Sequence, residues 1–171
     1  MNADMVNEFF RNYGVIAVFV IVFLEYMNLP GFPAGIIMPM AGIWAAKGDL
    51  GLVPTLILSV AAGLLGSWVL YGLGRFGGEI FLNKFYKRFP KQKATIEKNF
   101  EYLRNKGYAG IFVSKLIPMI RTIISIPAGV LKMNFMGYTV SSAAGIAVWN
   151  TVFVGAGYLL GEQALTFFTK L

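Results

Sequence analysis

Apolar residues run along this chain in four blocks, and the polar residues collect between them. Residues 50–74 and 133–161 carry no charge at all. Each exceeds the roughly 20 residues that a membrane-spanning helix needs. The pattern therefore predicts spanning helices over 52–74 and 137–160. Residues 14–46 are apolar except for Glu25, and residues 107–131 are apolar except for Lys115 and Arg121. These two blocks are too long for one span and too short for two full ones. The first is broken at Pro30 and Pro33, the second at Pro118 and Pro127. Each reads as a re-entrant hairpin, two half-helices that enter and leave on one side. Broken backbone at that depth is tolerated where it is buried in protein or lines a cavity. For the first block, a pair of short full spans is the alternative.

The polar segment 79–106 differs in kind. Ile96, Phe100 and Leu103 recur at helical spacing, with Lys98, Glu101 and Arg104 between them. Pro90 divides the segment into two helices. This is the pattern of a helix lying in the membrane interface and attracted to anionic lipid.

The two halves of the chain echo each other. Tyr13 and Gly14 open the first; Gly107 and Tyr108 open the second. The stretch from Pro39 to Gly42 resembles that from Pro127 to Gly129. Ala61, Ala62 and Gly63 precede Trp68, as Ala143, Ala144 and Gly145 precede Trp149. Gly74 then Glu79 parallels Gly161 then Glu162. Each half holds one hairpin and one span, an odd number of crossings, so the second half is expected to be inverted relative to the first. Inverted repeats with broken segments meeting near the midplane are a transporter design. The fold class expected is an all-α integral membrane protein. It forms one domain over 1–171: repeat 1 at 13–78, a basic cytoplasmic segment at 79–106 and repeat 2 at 107–162.

Composition sharpens this reading. Of 171 residues, 57% are hydrophobic and 13% charged, with mean hydropathy +0.65. A soluble domain carries about 25% charged residues. Cysteine and histidine are both absent, which removes disulfides, histidine metal sites and histidine general bases. No catalytic residue, metal or cofactor is called for. The N-terminus is acidic and lacks the basic start of a cleavable signal peptide. From Arg75 to Lys106 lie nine cations and three carboxylates, a net +6 out of +7 for the chain. Basic loops beside spans stay cytoplasmic. That places both termini outside and the two hairpin tips together inside the membrane. Nucleic acid is not an expected partner.

Charge at membrane depth costs about 2.5–3.5 kcal/mol per residue on insertion scales and marks a site. Arg121 follows the Pro118 break closely, where free backbone N–H groups also favour an anion. Its planar fork suits phosphate oxygens. Lys115 precedes the same break and can reach the same point. Arg75 ends the first span and is a third candidate for phosphate. Glu25 is either a proton carrier or the ion-pair partner of these cations. Trp68, Trp149, Tyr71 and Tyr158 read as packing or interfacial residues.

Several segments resemble the DedA family of bacterial membrane proteins, whose domain is also called the SNARE-associated or VTT domain. They are Leu24 and Glu25 with Phe32, Pro33, Ala41 and Gly42, the run from Gly66 to Gly78, and above all Phe112 to Thr122 with Pro127, Gly129, Phe135 and Trp149. The resemblance implies a lipid flippase or scramblase in the bacterial cytoplasmic membrane, with undecaprenyl phosphate as the leading substrate and proton coupling in some members. It places Glu25 at the family's first acidic position and Lys115 and Arg121 at its two basic positions. Many members have arginine where Lys115 stands. Two acidic positions common in the family are missing, one in the run Pro33 to Gly35 and one at Ser67. The partners expected are membrane lipids, a lipid-phosphate substrate and anionic lipid at the basic segment; a homo-oligomer stays open. A phospholipid scramblase and a small-solute or ion transporter are the alternatives.

Overall fold

The structure is a computed structural model that describes residues 3–27, 34–47, 51–118, 120–161 and 163. Those residues are helical apart from short turns. Helix α1 spans Ala3–Tyr26, α2 Ala34–Lys47, α3 Leu52–Arg88, α4 Lys93–Lys115, α5 Ile120–Ile123, α6 Ser125–Val130 and α7 Phe135–Leu160.

Among the described residues, two helices are long and apolar enough to cross a membrane, Leu52–Gly78 within α3 and Phe135–Leu160. Only 39% and 33% of their most apolar stretches are buried inside the molecule, so both present apolar surface outward. Ile57, Phe76, Val140 and Leu159 are among the exposed side chains. A water-facing surface of that kind would be unfavourable, whereas lipid accepts it. The apolar part of α1, Gly14–Tyr26, and all of α2 are half-span pieces, about 20 Å long at 1.5 Å per residue. Pro30 and Pro33, the expected break between them, lie outside the described residues. The second break falls at Leu116 to Pro118, between α4 and α5. Pro127 lies within α6, near its start, where a missing N–H costs no helical hydrogen bond.

The helices pack crosswise. Helix α1 lies on α3 and α4 on α7, while α2 packs on α7 and α6 on α3. The two crossed contacts use the same atoms. A Cβ on Gly42 would strike the carbonyl of Val154 and the N–H of Tyr158; one on Gly129 would strike the carbonyl of Tyr71 and the N–H of Arg75. From the other side, Gly157 abuts the carbonyl of Pro39, and Gly74 that of Ile126. Glycine is required at all four places for backbones to approach this closely.

The basic segment is bounded by two bends. Gly78 (φ 48°, ψ −135°) interrupts α3 and Gly107 (φ 54°, ψ −133°) interrupts α4, backbone that only glycine adopts without strain. Between them, Pro90–Gln92 forms a 3₁₀ turn that separates two helical arms, as Pro90 predicts. The apolar stripe of the second arm does not face lipid. Ile96 and Leu103 are buried, Ile96 with Leu70, Leu82, Ile123 and Ile126, Leu103 with Tyr71, Ile111 and Tyr138. Closing them into the protein contributes about 1.5–3 kcal/mol for each such side chain, and it satisfies the same periodicity that a lipid surface would. The cations Lys84, Lys87, Arg88, Lys91, Lys93, Lys98, Arg104 and Lys106 remain exposed.

Candidate functional site

Arg121 sits in the first turn of α5, directly after the second break, and is wholly buried. Its Nη2 donates to Oε1 of Glu25 in a buried ion pair. Glu25 lies in the last turn of α1, so the end of α1 meets the start of α5. The neighbouring Nη1 donates to the Tyr26 hydroxyl at 2.8 Å. The guanidinium also lies between two aromatic faces, 4.5 Å from the ring centre of Tyr26 and 4.8 Å from that of Trp149, an arrangement that stabilises a desolvated cation.

Tyr26 continues the chain. Its hydroxyl donates to Asn150 Oδ1 (3.1 Å), and Asn150 Nδ2 donates to Ser59 Oγ (3.0 Å). Ser59 in turn donates to the carbonyl of Leu56 (2.9 Å). Every donor in this file points away from Arg121, so α1, α7 and α3 jointly fix its orientation.

Lys115, the last residue of α4, is also wholly buried. Its ammonium donates to Ser67 Oγ (2.9 Å), Ser125 Oγ (3.2 Å) and the carbonyl of Arg121 (2.8 Å). All three donors are used and none reaches a carboxylate. Lys115 thus braces α3, α5 and α6 around Arg121. Gly145 makes room for it, because a Cβ there would collide with the Lys115 side chain and the Phe112 carbonyl. The Tyr138 hydroxyl completes this corner, within 2.8 Å of Ser125 Oγ and 3.1 Å of the Ser67 carbonyl.

The structure therefore brings together Glu25, Lys115 and Arg121. Arg75 stands elsewhere: its Nη1 donates to the Tyr71 hydroxyl (2.7 Å) and the Met133 carbonyl (3.2 Å), holding the turn between α6 and α7. Sequence reasoning missed Tyr26, Ser125, Tyr138 and Asn150. An amide within an uncharged spanning run was the one available signal. Among the described residues there is no cluster of three or more His, Cys, Asp or Glu side chains that could hold a metal.

Comparison with known proteins settles the lineage. The VTT domain family model matches residues 32–159, a stretch that includes Lys115 and Arg121. The chain belongs to the VTT-domain family. This VTT-domain chain is 30% identical over 164 residues to the undecaprenyl phosphate transporter A of Staphylococcus aureus, covering 94% of this chain and 80% of that one. It is 30% identical over 156 residues to the uncharacterized membrane protein YkoX of Bacillus subtilis, covering 91% and 68%. It is 27% identical over 162 residues to the protein DedA of Escherichia coli, covering 90% and 73%. The DedA resemblance read from the segments Leu24 to Gly42, Gly66 to Gly78 and Phe112 to Thr122 is thereby established as kinship. No solved structure matches the chain.

Proposed function

We propose that this protein moves a lipid phosphate across the bacterial cytoplasmic membrane, with undecaprenyl phosphate as the first candidate. One observation carries the reading. Two wholly buried cations, Arg121 and Lys115, stand together where α1 meets α5, with a single carboxylate, Glu25, that pairs with Arg121 alone. In formal charge the cluster is +1 in an apolar setting, and an anion neutralises it. A relative named as an undecaprenyl phosphate transporter agrees with this choice. Its substrate is here carried over as a proposal.

The matched glycine contacts support an inverted repeat. Gly42 meets α7 as Gly129 meets α3, and Gly157 meets α2 as Gly74 meets α6. Each hairpin thus grips the span of the other half. Rocking of one half against the other would open the Glu25–Arg121 pair to one leaflet and then the other. The phosphate would bind the guanidinium N–H that Glu25 leaves unused, and the chain of the lipid would remain in apolar surroundings. An apolar cavity between α1 and α2, lined by Val18, Ile21, Val22, Ile37, Met40, Ala41 and Trp44, suits a hydrocarbon chain better than a hydrated ion. That favours a lipid over a small solute.

The test is transport in proteoliposomes. Purified protein should carry labelled undecaprenyl phosphate between leaflets, and Arg121→Ala should abolish it. Equal rates for labelled phosphatidylglycerol and undecaprenyl phosphate would replace this reading with a general scramblase.

A further inference from the structure

Three buried polar atoms at the site have no hydrogen-bond partner: Trp149 Nε1, Arg121 Nε and Glu25 Oε2. Trp149 is 7% exposed and packs its ring on the Arg121 guanidinium. Its counterpart in the first half, Trp68, shows the ordinary outcome, an indole N–H donated to Thr139 Oγ1 at 3.1 Å. Arg121 presents its N–H groups as a fork, and a bidentate pair would join Nε to the second oxygen of Glu25. Here Glu25 takes Nη2 alone, so one carboxylate oxygen and one guanidinium N–H stay unused. A buried polar group without a partner costs about 1–3 kcal/mol. Three in one cluster mark a place that a polar ligand completes.

We propose that Trp149 is a ligand of the substrate phosphate. With Arg121 Nε and Glu25 Oε2, it selects a singly protonated phosphomonoester headgroup. This rests on the lipid-phosphate reading above. The two donors match two phosphate oxygens. The one acceptor matches a P–OH, which donates to Glu25 Oε2. Charge leads to the same species: Arg121 and Lys115 against Glu25 leave +1, which a monoanion cancels and a dianion overshoots. A phosphodiester headgroup has the monoanion's charge but no P–OH. It would set a bare phosphate oxygen against Glu25 Oε2, and a site built around a hydrogen bond rejects the analogue that lacks it.

The proton is assigned to the phosphate because the other groups facing the pair are engaged. Tyr26 of α1 is bound to Asn150, Lys115 of α4 to Ser67 and Ser125, and Tyr138 of α7 to Ser125. On α3, Arg75 is held at Met133. Helix α2 has no ionisable residue except Lys47 at its end, and α6 has none. Glu25 keeps its contact to Arg121 through Oε1.

The experiment measures equilibrium binding to the full chain in nanodiscs. Its probes are a short-chain prenyl monophosphate, the methyl diester of that phosphate and the free prenyl alcohol, each at pH 6.5 and 8.0. The wild type should prefer the monophosphate to the diester by about tenfold or more. Monophosphate affinity should fall as pH rises above the second phosphate pKa of about 6, while diester affinity stays flat. Trp149→Phe keeps the ring on Arg121 but removes the donor. It should lose about tenfold in monophosphate affinity, with an unchanged or raised melting temperature because an unpartnered N–H is gone. Wild-type affinity in Trp149→Phe, or a diester that binds as well and responds to pH in the same way, overturns the proposal. Arg121→Ala separates the two readings. If it too binds the monophosphate normally, the phosphate site itself is wrong; if it alone loses binding, only the role of Trp149 fails.

Discussion

Glu25 and Arg121 stand 96 residues apart in the chain and meet in one buried ion pair. Neither is accessible to water, so each depends on the other to offset its desolvation. Removing one partner from such a pair costs about 3–5 kcal/mol, because the remaining charge is left buried and uncompensated, whereas replacing both with apolar side chains costs far less. Glu25→Leu and Arg121→Met alone should each lower the melting temperature markedly. The double variant should recover most of that loss and still fail to transport lipid phosphate. Thermal unfolding and proteoliposome transport on the same four proteins check this. A double variant no more stable than the singles would show that the pair does not couple α1 to α5.

Lys115 makes a separate prediction, because its three hydrogen bonds all go to neutral oxygens. Ser67 lies 2.9 Å from the ammonium, at the position where the DedA resemblance implies an acidic residue. Ser67→Asp should therefore be tolerated in the wild type. It should be strongly destabilising beside Lys115→Met, where the new carboxylate has no cation. Contacting residues of this kind show coupling of about 0.5–3 kcal/mol in a double-mutant cycle. A coupling indistinguishable from zero would mean that Lys115 is not held against Ser67.

Some of this was legible in the sequence for a simple reason. A charge in an apolar block is expensive wherever it ends up, so Glu25, Lys115 and Arg121 stood out before any geometry was known, and they converge. Both spans followed from length alone. The basic arm shows the limit of periodicity: Ile96, Phe100 and Leu103 announce a buried face without saying what buries it, and here it is α3, α5 and α6 rather than lipid. Tyr26 was invisible, and Trp149 read only as a packing or interfacial residue, for a different reason. Their bodies are apolar, and the role of one hydroxyl or one indole N–H depends on partners more than 90 positions away or on the absence of any. Arg75 looked like Arg121 in sequence. Only packing distinguishes a cation that braces a turn from one buried at a site.

Topology follows from the net +6 between Arg75 and Lys106 and from the exposure of those cations. The native chain has no cysteine, so single cysteines report cleanly. Met5→Cys and Thr169→Cys should react with an impermeant thiol reagent in intact cells, and Lys98→Cys should react only after the membrane is opened. Labelling of the 98 variant in intact cells would place the basic segment outside and reverse the orientation.

The glycine contacts give the sharpest test of internal symmetry, because they predict equal effects at two sites far apart in the chain. Gly42 faces the backbone at Val154 and Tyr158, and Gly129 faces it at Tyr71 and Arg75, so the same carbonyl and the same N–H are met at the same separation in sequence. A methyl group at either place has nowhere to go, since the obstacle is backbone and not a flexible side chain. Overpacking of this sort costs about 1–3 kcal/mol. Gly72 provides the control: it lies in the same span as Gly74, and a Cβ there would meet nothing within 4 Å. Filling an open helical glycine with alanine stabilises by about 0.5–1 kcal/mol. Gly42→Ala and Gly129→Ala should therefore lower the melting temperature by similar amounts and slow lipid-phosphate transport together, while Gly72→Ala leaves transport intact and melts no lower than the wild type. If only one of the crossed contacts is sensitive, the two halves do not work as equivalent levers, and rocking of one repeat against the other is not how the site changes sides.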